Sequence, residues 1–412
     1  MRTLYIKIAG LAGALREAPN RLVGSEMNDF PLLESAWLMT ENERIVDFGE
    51  MKNLEIKLIQ EDVEVVDVAG GFILPGFCDP HTHMVFAKTR EGEFVDRING
   101  LTYEEIAEKG GGILNSAQVL QNTSEEDLFV SATERLNEVA SLGTVAVEIK
   151  SGYGLSVAAE LKMLRVIQAL KEISPIPIKA SFLGAHAIPT QFKTNREEYI
   201  RQIIEEMLPV IADENLADYI DVFCDRGFFT QDETERILLA GKKYGLRAKI
   251  HANELDFTGG IQAGVKLNAL SVDHLECTGD EEIELLKGSE TMPTLLPSTA
   301  FFLGINYPPA RKMIDAGLGL ALASDYNPGS SPSGRMPFIW SLACIKLKMR
   351  PMEALAASTL NAAYAMGMEK ELGSITPGKR ASFIITYPAP SIHYFPYSFG
   401  SDWIRQVVID GN

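Results

Sequence analysis

The chain has 412 residues, 46% hydrophobic and 23% charged, a composition that fits a globular protein with a barrel of about 250 residues and a smaller domain. Its formal net charge of −18 argues against nucleic acid or an anionic membrane surface as partner, because phosphates need a basic face. The scattered residues Cys78, Cys224, Cys277 and Cys344 read as free thiols of a reducing, cytoplasmic compartment rather than a disulfide frame, and no apolar run reaches the length of a spanning helix.

Residues 1–72 alternate short β-patterns with turns, at Leu4–Ile8, Ala36–Leu38, Arg44–Phe48 and Val63–Val68. The faintly leader-like stretch after Met1-Arg2 is interrupted by Lys7 and reads as the first of these strands. Strand-like runs then follow at Ile73–His83, Thr144–Lys150, Ile178–His186, Tyr219–Asp225, Arg247–Glu254, Ala269–Glu276, Thr291–Pro297 and Gly319–Asp325. Helical patterns separate most of them. Ser124 followed by Asp127 resembles a capping box, with Leu128, Ala132, Leu136 and Val139 on one face and Gly143 as the stop. Further helices are predicted near Val157–Ile173, Asn195–Ile211 and Asp232–Tyr244.

Alternation of this kind predicts an α/β fold, a parallel (β/α)8 TIM-like barrel over 73–370. The stretch Phe86–Ser124, with Gly110-Gly111-Gly112, is predicted as a loop that covers or lines the site. The tail returns to β-pattern at Ser382–Thr386 and Gln406–Ile409. Segments 1–72 and 371–412 are therefore expected to pair into one small β-sandwich domain.

The chemistry lies at the strand ends. Residues i and i+2 of a strand share a face, so His81 and His83 can converge on one ion. His186, His251 and His274 each close a later run, and Asp325 closes the last. In a parallel barrel that end of the strands carries the active site. Taken singly, each of these is most simply a satisfied core or loop polar residue. Together they follow the order of a ligand set.

The motifs Asp79-Pro80-His81-Thr82-His83, Lys150-Ser151-Gly152-Tyr153-Gly154, Phe182-Leu183-Gly184-Ala185-His186, His251-Ala252-Asn253-Glu254, Asp273-His274-Leu275-Glu276 and Ser324-Asp325-Tyr326-Asn327-Pro328-Gly329 resemble the amidohydrolase superfamily. Within it the chain is similar, across nearly its whole length, to the cyclic-amide hydrolases of histidine breakdown. The resemblance implies one divalent metal ion, Zn or Fe, held by His81, His83, His251 and Asp325, with a coordination position left for water. It implies hydrolysis of the ring amide C–N bond of 4-imidazolone-5-propanoate to N-formimino-L-glutamate by a metal-bound hydroxide.

Roles follow for single residues. His274 polarises the carbonyl and shuttles protons, Asp325 orients and deprotonates the water, and Glu254 contacts the ring nitrogens. Arg90 is the expected partner of the propionate, since a guanidinium pairs with a carboxylate through two hydrogen bonds. Tyr103, Tyr153 and His186 surround it, and Asn327, Gly329 and Ser330 are candidate donors to the substrate. Lys150 ends the second barrel strand rather than the fourth, which favours a single metal over a pair bridged by a modified lysine.

Asn253, where the family commonly has Asp, and Ser382, where it commonly has Asp, depart from the pattern but leave Glu254 and the site intact. Ile113-Leu114-Asn115-Ser116 vary the glycine-rich segment. An aromatic-base deaminase is the first rival reading, because it uses much the same single-metal site. A barrel kept as a silent scaffold is the second, and it would be expected to have lost ligands. A homodimer is expected by base rate.

Overall fold

The computed structural model describes residues 2–55, 63–101, 105–106 and 109–412. Five strands come first: β1 (Arg2–Ala12), β2 (Leu32–Glu41), β3 (Arg44–Glu50), β4 (Val63–Asp67) and β5 (Gly71–Pro75). The barrel strands follow as β6 (Phe77–Thr82), β7 (Thr144–Lys150), β8 (Ile178–Ala185), β9 (Tyr219–Cys224), β10 (Arg247–Ala252), β11 (Ser271–His274), β12 (Met292–Leu295) and β13 (Ala321–Leu322). The chain ends in β14 (Phe383–Pro388) and β15 (Ile404–Val408).

The barrel strands run parallel in sequence order from β6 to β13. Their ends meet just beyond β13, where Asp325 N–H donates to His81 O at 3.0 Å and His83 N–H donates to Tyr326 O at 2.9 Å. The seam that closes the barrel thus passes through the residues expected to bind metal. Between strands, helices begin where their caps dictate. Ser124 Oγ accepts from Asp127 N–H at 3.0 Å and opens the helix Glu125–Ser141, which buries Leu128, Ala132, Leu136 and Val139. Ser156 caps Val157–Ile173, and Thr230 with Glu233 forms a reciprocal capping box before Gln231–Lys242.

Several elements differ from the sequence expectation. The run Ile73–His83 is two strands, with β5 pairing to β1 and β14 and only β6 entering the barrel. The break falls at Gly76, whose N–H donates to Ser382 O at 3.3 Å and where a side chain would collide with Val145. The segment Phe86–Ser124 is not a plain loop. It contains the helices Glu91–Ile98 and Gly112–Gln121, the first with no buried residue. The seventh and eighth runs are shorter than their β-pattern, because Pro297 starts a helix and the chain turns left-handed at Asp325. The helix expected at Asn195–Ile211 extends from Arg196 to Asp213 and carries a π-helical stretch at Gln202–Met207.

The flanks build one seven-stranded sheet in the order β15-β14-β5-β1-β2-β3, with β4 also on β1. This sheet curls back on itself. Ile45 N–H donates to Lys379 O at 2.9 Å, Gly378 N–H to Ile45 O at 2.8 Å and Ala381 N–H to Glu43 O at 2.7 Å, so the entry to β14 meets the start of β3. The enclosed core includes Tyr5, Ile8, Leu11, Leu38, Phe48 and Phe383. Its two layers are therefore one continuous sheet rather than two separate ones.

The barrel interior is unusually charged. Glu148, Lys150, Asp221, Lys249 and Asp273 have fully buried side chains. Glu148 and Lys150 stand two apart in β7, the period at which residues share one face.

Candidate active site

Three imidazoles and a carboxylate converge at the C-terminal ends of the strands. His81 Nε2 lies 3.2 Å from His83 Nε2, and His251 Nε2 lies 3.3 Å from the same atom. Asp325 Oδ1 lies 3.6 Å from Nε2 of both His81 and His83. Behind them, His81 Nδ1 pairs with Asp273 at 2.7 Å and His251 Nδ1 with Asp221 at 3.1 Å. A carboxylate at Nδ1 makes that nitrogen the N–H donor and leaves Nε2 a lone pair. Burial, and then their charged neighbours, hold His81 and His83 well below the ordinary imidazole pKa, so both are neutral. Lone pairs this close together repel unless a cation lies between them. The donor set fits a divalent ion of the zinc or iron type.

Asp325 is held from its far side. Its Oδ2 accepts from Thr299 Oγ1 at 2.6 Å and from Ser330 Oγ at 3.2 Å, which leaves Oδ1 toward the histidines. Burial raises the Asp325 carboxyl to about 6 against the pull of those hydrogen bonds. Asn253, His274, Leu275 and Asp325 all have positive φ, at 55°, 84°, 70° and 54°. Non-glycine residues in this region cost about 1–3 kcal/mol each and gather where side-chain direction matters.

Beneath the cluster, Lys150 Nζ donates to Glu148 at 2.6 Å and Asp221 at 2.7 Å and lies 3.6 Å from Asp273. Lys249 pairs with Glu148 and donates to Pro80 O at 2.8 Å. Burial alone would lower the Lys150 pKa, but Asp221, Glu148 and Asp273 outweigh it and raise it. Lys150 therefore stays an ammonium and ties together the two carboxylates that orient His251 and His81. Read from the sequence, Lys150 is only a candidate metal-bridging residue and Asp273 stands in a motif without a role. Glu148, Asp221 and Lys249 were not singled out, although Glu148 and Lys150 stand two apart in an apolar strand.

A cavity of about 550 Å³ opens over the cluster, lined by Arg90, Arg97, Tyr153, His186, Glu254 and His274 among others. His186 stacks on His83, with ring centroids 5.3 Å apart, and its Nδ1 lies 3.0 Å from Gly152 O. Burial pushes His186 down to about 3. Arg90 directs Nε to Glu93 at 2.9 Å and Nη2 to the same carboxylate. Burial alone would raise Glu93, but Arg90 and the Gly112 N–H hold it below its usual value.

Asn327, Gly329 and Ser330 line the cavity, but their donors are engaged within their own loop. Asn327 Oδ1 accepts from Gly329 N–H at 2.7 Å and Ser330 N–H at 2.8 Å, and its amide donates to Asp325 O at 2.7 Å. The loop's visible work is to fix Asp325. Arg97, which the sequence reading did not single out, donates to Gly329 O at 3.0 Å. Tyr103 lies outside the described residues.

Glu254 faces the cavity 3.6 Å from His274 Nδ1. Burial, followed by the Asp325 and Asp225 charges, raises its carboxyl to about 8. The cavity thus holds metal-type donors and, beside His274, a buried acid that gives up its proton less readily than an ordinary carboxyl. That combination suits addition of water to a carbonyl with protonation of the group that leaves.

A family model described as the amidohydrolase family matches residues 72–412, and the chain belongs to that family. It is 55% identical over 412 residues to the imidazolonepropionase of Flavobacterium johnsoniae, covering 100% of this chain and 99% of that one. It is 54% identical over 391 residues to the imidazolonepropionase of Christiangramia forsetii, covering 95% and 94%. Among solved structures, the atrazine chlorohydrolase of Arthrobacter aurescens TC1 complexed with zinc superposes with a TM-score of 0.69 at 14% identity, covering 99% of this chain and 94% of that one. That likeness concerns the fold alone.

Proposed function

We propose that the enzyme hydrolyses the ring amide C–N bond of 4-imidazolone-5-propanoate to N-formimino-L-glutamate, a step of histidine degradation. The observation that carries this reading is the full-length 55% identity to an imidazolonepropionase in a chain whose cavity joins a metal-type donor cluster to a buried acid and a guanidinium. His81, His83, His251 and Asp325 would hold one ion, zinc or iron. Bound there, a divalent cation acidifies a water molecule and withdraws charge from a carbonyl oxygen.

The remaining work belongs to side chains. Asp325, steadied by Thr299 and Ser330, takes the proton of the attacking water. His274 donates a hydrogen bond to the carbonyl oxygen as it gains charge. Glu254 gives its proton to the ring nitrogen as the C–N bond breaks, and the proton held by Asp325 then restores it. Water is divided between carbon and nitrogen, and no ammonia is released. Arg90 pairs with the propionate, with Tyr153 and His186 beside it, and Tyr103 is the remaining aromatic candidate. The catalytic unit is the barrel, expected from the sequence at 73–370 and entered at β6 from Phe77, with the segment through β5 and residues 371–412 as its small companion domain. The working form is a cytoplasmic homodimer.

Purified protein loaded with zinc or iron and offered 4-imidazolone-5-propanoate should yield N-formimino-L-glutamate without ammonia. Ammonia released from an aromatic base, with no ring opening, would replace this reading by that of a deaminase.

A further inference from the structure

His274 ends β11 at φ 84° and Leu275 continues at 70°. After this left-handed pair, Glu276 Oε2 lies 3.7 Å from His274 Nδ1, with only 3% of the Glu276 side chain exposed. Glu254 Oε2 approaches the same nitrogen to 3.6 Å. Among the described residues, neither Nδ1 nor either oxygen of Glu276 has a hydrogen-bond partner. Three buried polar atoms left this way, so close together, call for a proton among them.

The two acids differ in what they face. Glu254 lines the substrate cavity, whereas Glu276 does not. Glu254 is the carboxyl that substrate can reach, and Glu276 is the one left for Nδ1. A neutral imidazole carries a single N–H. If His274 donates from Nε2 toward a substrate carbonyl, its Nδ1 is an acceptor, and a buried acceptor needs a donor.

We propose that Glu276 is a positioning residue that, as a neutral carboxylic acid, donates its O–H to His274 Nδ1 and so fixes the imidazole with Nε2–H directed into the cavity. A modest side-chain rotation closes 3.7 Å to hydrogen-bond length. Burial keeps the Glu276 carboxyl well above its ordinary value. The proposal rests on reading His274 as the group that polarises the carbonyl.

The tautomer can be read directly. With six histidines in the chain, ¹⁵N-histidine labelling of the zinc-loaded enzyme gives few signals, and His274→Asn assigns the one that matters. His274 should carry its proton on Nε2 with Nδ1 unprotonated. Glu276→Gln, whose amide also donates, should keep that pattern and a kcat within about threefold of the parent, whereas Glu276→Leu should lose the single tautomer and at least about tenfold in kcat, with KM and zinc content unchanged. Protonated Nδ1 in the parent enzyme, a Gln variant as impaired as the Leu variant, or a Leu variant of full activity would each overturn the proposal. Failure of the loaded parent enzyme to open the imidazolone ring would instead count against the proposed reaction, and the spectrum would still decide the role of Glu276.

Discussion

The guanidinium of Arg90 occupies the space that a side chain at Gly329 would fill. Two of its nitrogens are fixed by Glu93, and Glu93 is itself anchored by the Gly112 N–H at 3.0 Å. Even one methyl group at position 329 must displace the Arg90 guanidinium from this place. Gly329→Ala should therefore raise KM for the propionate substrate about tenfold with kcat little changed, and Arg90→Ala should raise it further, toward about a hundredfold, as expected for loss of a charged hydrogen-bonded pair. A ring substrate lacking the carboxylate should react poorly with either form. Equal KM values for the parent and Arg90→Ala would make Arg90 a lid residue rather than a clamp.

His274 lies near His81 and His251 and is close enough to be grouped with them as a metal ligand. The assigned role predicts otherwise. His274→Asn should keep its metal, measured by mass spectrometry, and lose about 10²–10³ in kcat because a donor to the developing oxyanion is gone. Loss of metal in that variant would make His274 a ligand.

Asp273 orients His81, and Lys150 holds Asp221 directly with Asp273 within 3.6 Å. Asp273→Asn should weaken metal binding by about 10–100-fold in competition with a chelator, while leaving all the proposed ligands in place. Lys150→Met strands buried carboxylates and should cost about 3–5 kcal/mol in urea unfolding. An undiminished metal affinity in Asp273→Asn would show that His81 needs no carboxylate behind it.

The metal-free protein should lose stability as pH rises past neutrality. Burial, the largest cause in each case, raises Asp325 to about 6, Asp79 to about 7 and Glu254 to about 8. Acids whose folded pKa exceeds the unfolded value bind more protons when folded, so their folded form is favoured at low pH and this advantage fades through the folded pKa. Below about pH 6.5 the buried His81, His83, His186 and His274, all held below the ordinary imidazole value, act in the opposite direction and offset the carboxyls, so after chelation Tm should fall between about pH 6.5 and pH 8. Saturating zinc should raise Tm most at the upper end of that window. A Tm that rises steadily across it would contradict the raised carboxyls.

The sequence disclosed much of this molecule because strands and ligands repeat. The helix Val157–Ile173 has the expected ends, since Ser156 marks its start and its apolar face is periodic. The histidines and Asp325 were visible at strand ends, and the structure gathers them. What escaped was set by distant partners. Nothing local to Ile73–His83 says that its first half pairs with β14, more than 300 residues later. Glu91–Ile98 does carry an apolar stripe, Phe94, Val95 and Ile98, but it is short and stays exposed, and the glycines that follow it read as loop. Asn327 looked like a donor to substrate, yet its side chain closes its own loop. Glu276 stood in a quoted motif without a role, because only the left-handed turn at His274 and Leu275 brings it back to the imidazole.

The curled sheet has a consequence for how the chain is made. β5 stands between β1 and β14, so during synthesis one of its edges stays open until β14 has left the ribosome. An open strand edge is a template for pairing with a neighbouring nascent chain. The whole barrel has to be translated while that edge waits. A ribosome stalled before Phe383 would therefore release a chain that holds every proposed metal ligand and still carries an adhesive border.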